Sequence, residues 1–162
     1  MGDNGVQDVL DMLKKRQPSD TEFSKEFANS VISKQKIQKY ILEKIDNSLG
    51  TGERVVSTNS KEIHVEHIMP KKPNDWWVKA TDNDSDMYEE YVDRIGNLTL
   101  LSRSLNQRAS NKSYIDKTKN YYKNSEFKVT QDILNYDSWG VKQIELRQDA
   151  LSKLASTIWS IS

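Results

Sequence analysis

The chain offers very little strand. Ile63-His64-Val65-Glu66-His67-Ile68 alternates with β-branched residues and is stopped by Met69-Pro70, so it reads as one short strand. After a long, mostly acidic interval, Leu98 to Leu101 gives a second. Thr51 to Lys61 and the acidic interval from Asp75 to Asp93 read as loops, and most of the remainder has helical spacing. Val6, Val9, Leu10 and Leu13 predict a helix from Val6 to Arg16 that Pro18 ends. A second helix starts behind Ser19 or Asp20 with Phe23, Phe27 and Val31 on one face. Gln35 to Leu49 carries an apolar stripe of Ile37, Tyr40, Ile41, Ile45 and Leu49, with Gly50 as its C-terminal cap. Ser102 or Ser104 caps a helix that carries Asn106, and Tyr114 to Tyr122 continues as a Lys-rich helix. Val141 to Ile161 closes the chain, with Ile144, Leu151, Leu154, Ile158 and Ile161 as core. The expected class is α+β, mostly helical.

Composition narrows the chemistry. The 162 residues fit one domain or at most two small ones. No run approaches the ~20 apolar residues of a membrane span, and no signal-peptide pattern occurs, so a soluble intracellular protein is expected. Cysteine is absent, which removes disulfides, thiolate zinc sites and cysteine nucleophiles. The zero net charge hides a dipole along the chain. Asp75 to Asp93 holds seven acidic residues against Lys79, a balance of −6. Arg103 to Lys128 holds seven basic residues against Asp116 and Glu126, a balance of +5. A basic segment of this kind suits a phosphate backbone, and equally suits a solvated helix face.

Three strings stand out together: His64-Val65-Glu66-His67-Ile68-Met69-Pro70, then Arg94-Ile95-Gly96-Asn97-Leu98-Thr99-Leu100-Leu101-Ser102, then Leu105-Asn106. With Asn111-Lys112-Ser113-Tyr114, Lys117, Ser138-Trp139, Arg147 and Trp159 they resemble the HNH (His-Me finger, ββα-metal) nuclease motif. The variant is that of the C-terminal domains of GmrSD-type and SspE-type modification-dependent DNA restriction proteins, and it runs from Ile37 to Trp159.

The resemblance implies helices packed around a small ββα-metal core. Residues 1–50 would be a helical scaffold, 51–128 the core with a long acidic insertion, and 129–162 the closing helices of one compact domain. His67 would be the general base, neutral near pH 7 with an ordinary pKa of about 6.5. Glu66 and Asn106 would hold one Mg²⁺ or Mn²⁺, an oxygen-preferring ion, while Asn97 ties backbone across the loop to position His67. Arg108, Lys112, Lys117 and Lys123 would meet DNA phosphates. The expected activity is metal-dependent DNA cleavage in a prokaryotic cytoplasm, as the effector part of a restriction protein whose sensor or NTPase domain lies outside this chain. The alternative is a binding or docking module without catalysis.

Other motifs carry less. His64-Val65-Glu66 matches part of a zinc deaminase signature, but that signature needs two cysteines. Asp82 to Asp86 opens like a calcium loop, yet Met87 stands where its sharp turn needs glycine. Trp76-Trp77 reads as an anchor for the acidic interval, with stacking on a base as the alternative.

Overall fold

The computed structural model describes residues 18–50, 60–82 and 84–160. The helix expected from Val6 to Arg16, the loop expected from Thr51 up to residue 59, and Ile161 lie outside them. Helix α1 (Asp20–Asn29) begins behind Ser19, whose hydroxyl accepts the Glu22 amide while the Glu22 carboxylate accepts the Ser19 amide. Helix α2 (Gln35–Leu49) leads to strand β1 (Ile63–His67). Two short helices follow, α3 (Asp75–Ala80) and α4 (Ser85–Val92), and a 3-10 turn (Ile95–Asn97) feeds β2 (Leu98–Ser102). Then come α5 (Arg103–Ala109), α6 (Tyr114–Asn120), α7 (Lys128–Gln131) and the closing α8 (Val141–Ile158). The described residues are therefore mostly helical, with one two-stranded antiparallel sheet. No helix among them is long and apolar enough to cross a membrane.

In the sheet His67 pairs with Leu98, Glu66 with Thr99 and Ile63 with Ser102. Alternation sends neighbouring residues to opposite faces, and both faces are covered. Val65, Leu98 and Leu100 enter one core with Phe27, Leu42, Ile45 and Leu151. Leu101, with Ile68 and Met69, enters another with Trp77, Tyr88, Tyr122 and Trp139. This explains why Leu98 to Leu101 is an almost unbroken apolar run.

Helix α8 holds the turn ahead of β2 through polar groups. Arg147 is fully buried and donates to the carbonyls of Gly96 at 2.8 Å, Leu98 at 2.7 Å and Val129 at 3.0 Å. The Gln148 side chain accepts the Gly96 amide and donates to the Phe27 carbonyl at 2.8 Å, so it staples α1 and the turn to α8. The approach requires glycine: a Cβ on Gly96 would lie 2.3 Å from the Ile144 carbonyl oxygen.

Several elements differ from expectation. The acidic interval is not a loop. Asn74 caps α3 and Asp84 caps α4, and the acids at their first turns, Asp75 and Asp86, suit the helix dipole while Trp77, Tyr88 and Tyr91 face inward. Asp84 thus serves as a cap, and among the described residues no group of three or more acidic or histidine side chains gathers as a metal site. Val31 lies beyond the end of α1, half exposed, in an isolated bridge to Arg94. On α2 the buried apolar residues are Ile41, Leu42 and Ile45, whereas Ile37, Tyr40 and Leu49 stay more than a third exposed. In α8 Ile144 and Leu151 are buried and Leu154 and Ile158 partly so. Trp77 is fully buried with its indole N–H donating to the Lys112 carbonyl at 2.9 Å, and Trp76 rests edge-on against it.

Candidate active site

The site forms where β1 ends. His67 is the last residue of that strand, with 15% of its side chain exposed. Its Nε2 lies 2.8 Å from Oδ1 of Asp93, the residue that closes α4. The same Asp93 carboxylate accepts from the Gln38 amide at 3.2 Å and lies 3.4 Å from the exposed Lys71 ammonium. Burial holds the His67 ring below the ordinary histidine pKa, and Asp93 only partly offsets it. Burial alone would raise Asp93, but His67 and Lys71 outweigh it and keep the carboxyl below its usual range. With Nε2–H donating to this carboxylate, Nδ1 keeps its lone pair. Among the described residues it has no hydrogen-bond partner, so it is the nitrogen free to take a proton from water.

The turn after His67 is fixed from two sides. Asn97, fully buried, donates to the carbonyls of Met69 and Val92 at 2.9 Å each. Its oxygen accepts the Met69 amide at 2.9 Å and the Trp139 indole N–H at 3.1 Å. The Ile68 amide donates to the Asn97 carbonyl at 2.9 Å. From the other side Lys117 reaches up from α6. Its ammonium donates to Glu66 Oε1 at 2.7 Å and to the carbonyls of His67 at 2.8 Å and Ile68 at 3.0 Å.

A family model for the C-terminal domain of GmrSD restriction endonucleases matches residues 17–154. The chain belongs to that family. No curated protein matches it. Within this GmrSD domain the match takes in β1, β2 and every helix from α1 through most of α8.

Of the two residues expected to hold a metal in the GmrSD domain, Glu66 is turned into the core and already paired. Glu66 is only 5% exposed, and its Oε1 is occupied by Lys117 and by the Tyr122 hydroxyl at 3.0 Å. Burial pushes the Glu66 carboxyl up and the Lys117 ammonium down, while their mutual contact opposes both shifts. A divalent ion at that oxygen would face a fixed ammonium. Asn106, in α5, is half-buried, and its carboxamide has no hydrogen bond to a described residue. With its carboxylate paired to Lys117, Glu66 does not fit a divalent ion, and no chemical step is assigned to one.

Among the expected phosphate contacts, Arg108, Lys112 and Lys123 are exposed, Arg108 lying over the Tyr121 ring. Lys117 is a correction. It is fully buried and cannot touch a DNA backbone, because the Glu66 carboxylate and two carbonyls draw it inward. His64 has no catalytic partner; its Nε2 sits 3.1 Å from the Lys61 carbonyl at the far end of β1. The reading of the sequence missed Asp93 as the partner of His67. A signal was available: if β1 and β2 pair antiparallel with His67 near Leu98, the residues just ahead of Asn97 must run past His67.

Proposed function

We propose that this domain hydrolyses DNA phosphodiester bonds with His67 as the general base. The observation that carries the reading is the His67–Asp93 pair at a strand end, with one ring nitrogen committed to the carboxylate and the other free. Nδ1 takes a proton from water, and the hydroxide attacks phosphorus. The bond from phosphorus to the 3′ oxygen breaks, and that oxygen leaves with a proton from solvent, giving 5′-phosphate and 3′-hydroxyl ends. Asp93 stabilises the imidazolium that forms, and Lys71 brings positive charge to the same edge. The antiparallel β1–β2 pair followed at once by α5 supports an HNH-type ββα reading of the core. By family, the domain would be the effector of a larger restriction protein cutting foreign or modified DNA, with sensing done outside this chain.

Supercoiled plasmid tests the proposal. The purified chain, assayed with Mg²⁺ or Mn²⁺ present, is expected to convert it to open-circular or linear product. Binding without conversion under either ion would leave a DNA clamp or docking module. Conversion stopped by EDTA would show metal dependence with the ion held by groups other than Glu66, and conversion that persists would leave a nuclease that needs no ion.

DNA contact by the exposed basic residues has its own measurement. Lys112→Ala with Lys123→Ala is expected to reduce the salt slope of duplex binding by about two units, about one per lost phosphate contact, with little change in sequence preference. A filter-binding salt series giving the parent's slope would leave both lysines as solvated surface.

A further inference from the structure

We propose that Lys117 is a positioning residue that clamps the turn carrying the general base, and that Glu66 is its counter-charge and not a metal ligand. The inference rests on the reading of His67 as base. An ammonium has three N–H donors, and Lys117 meets three acceptors within 3.0 Å: Glu66 Oε1 and the carbonyls of His67 and Ile68. It is fully buried, so no water competes for those donors.

The acceptors are not interchangeable with ordinary core groups. The two carbonyls are the consecutive ones of His67 and Ile68, at the point where β1 ends and its ladder stops supplying partners. A buried carbonyl left alone there would be costly, so a donor must come from elsewhere in the chain. Lys117 supplies both bonds with one group, and Asn97 holds the neighbouring Met69 by its amide and carbonyl. His67, Ile68 and Met69 are thereby fixed by two distant side chains.

Glu66 completes the clamp. Lying next to His67 on the strand, it points to the opposite face, where it neutralises Lys117 and accepts the Tyr122 hydroxyl. Guanidinium is a planar fork and cannot present three donors to one point as an ammonium does, so arginine is a poor replacement.

The test uses the full chain and three variants, Glu66→Gln, Lys117→Met and Lys117→Arg. Glu66→Gln keeps an oxygen acceptor for Lys117, so Mn²⁺ binding measured by calorimetry is expected to match the parent's, with a Kd within about twofold or with no detectable binding by either protein. A tenfold or greater loss of Mn²⁺ affinity in this variant would make Glu66 a ligand and overturn the proposal. Single-turnover cleavage by folded Lys117→Met, checked by circular dichroism, is expected to fall about 10²-fold with the DNA Kd within twofold, the signature of a displaced base. Lys117→Arg is expected to share that loss although it retains the charge, and full activity in either folded lysine variant would overturn the clamp. Should neither lysine variant fold, the Mn²⁺ affinity of Glu66→Gln decides alone. If the parent itself fails to cleave DNA, the reading of His67 fails, whereas the Mn²⁺ titration still judges the role of Glu66.

Discussion

His67→Ala is expected to lower plasmid cleavage by about 10² to 10⁴ while DNA binding and the melting temperature stay near the parent's. His67 lies at the edge of the core, and its ring bonds only to Asp93 among the described residues, so its loss leaves a small gap and one carboxylate that Gln38 and Lys71 still contact. The proposed chemistry depends on it far more. Among the described residues His64 is the other histidine, and it is tied to the Lys61 carbonyl. A purified His67→Ala variant that nicks as fast as the parent would remove the base assignment. Asp93→Asn should fall between the two: the ring keeps a neighbour at Nε2 but loses the charge that stabilises the imidazolium, so cleavage drops with binding unchanged.

Asn97→Ala is expected to have the largest effect on stability, at least about 3 kcal/mol, because one truncation unpairs several groups. The Met69 amide and carbonyl, the Val92 carbonyl and the Trp139 indole all lose their contact with Asn97, and Asn97 itself is fully buried. Cleavage should fall with it, since Met69 directly follows the turn that carries the proposed base. Chemical denaturation of the variant beside the parent measures the first effect, and a single-turnover assay well below the melting temperature measures the second. An unchanged denaturation midpoint with dead cleavage would instead make Asn97 a direct participant in the reaction.

The parts of this fold that local pattern determines were legible from residues alone. Alternation located β1 to within a residue, and the serines ahead of α1 and α5 are caps in the structure. Where charge patterning was the guide, the reading went astray. The acids between Asp75 and Asp93 looked like a solvated loop, yet Asp75 and Asp86 stand in first turns where negative charge stabilises a helix. Asp93 turned the other way, toward His67, which only the pairing of β1 with β2 could reveal. Lys117 is the sharpest case. In sequence it is one of seven basic residues in a row of solvated ones, and nothing local separates it from Lys119. Its burial follows from a carboxylate and two carbonyls delivered by a strand far away in the chain. Arg147 belonged to the family pattern, but its role and that of Gln148 were not legible for the same reason, since their partners are backbone atoms of the Gly96 turn and α1.

The central claim is that His67 takes the proton in DNA cleavage, and the pH dependence of single-turnover plasmid cleavage tests it most directly when paired with an NMR titration of the His67 ring. Burial lowers the folded-state pKa, so the neutral, proton-accepting form dominates above it. Cleavage should therefore rise with pH through a pKa below about 6.5 and level off by neutrality, with the rate midpoint matching the ring's own titration. A rate that stays flat across that titration, or that falls as the ring loses its proton, would contradict the account.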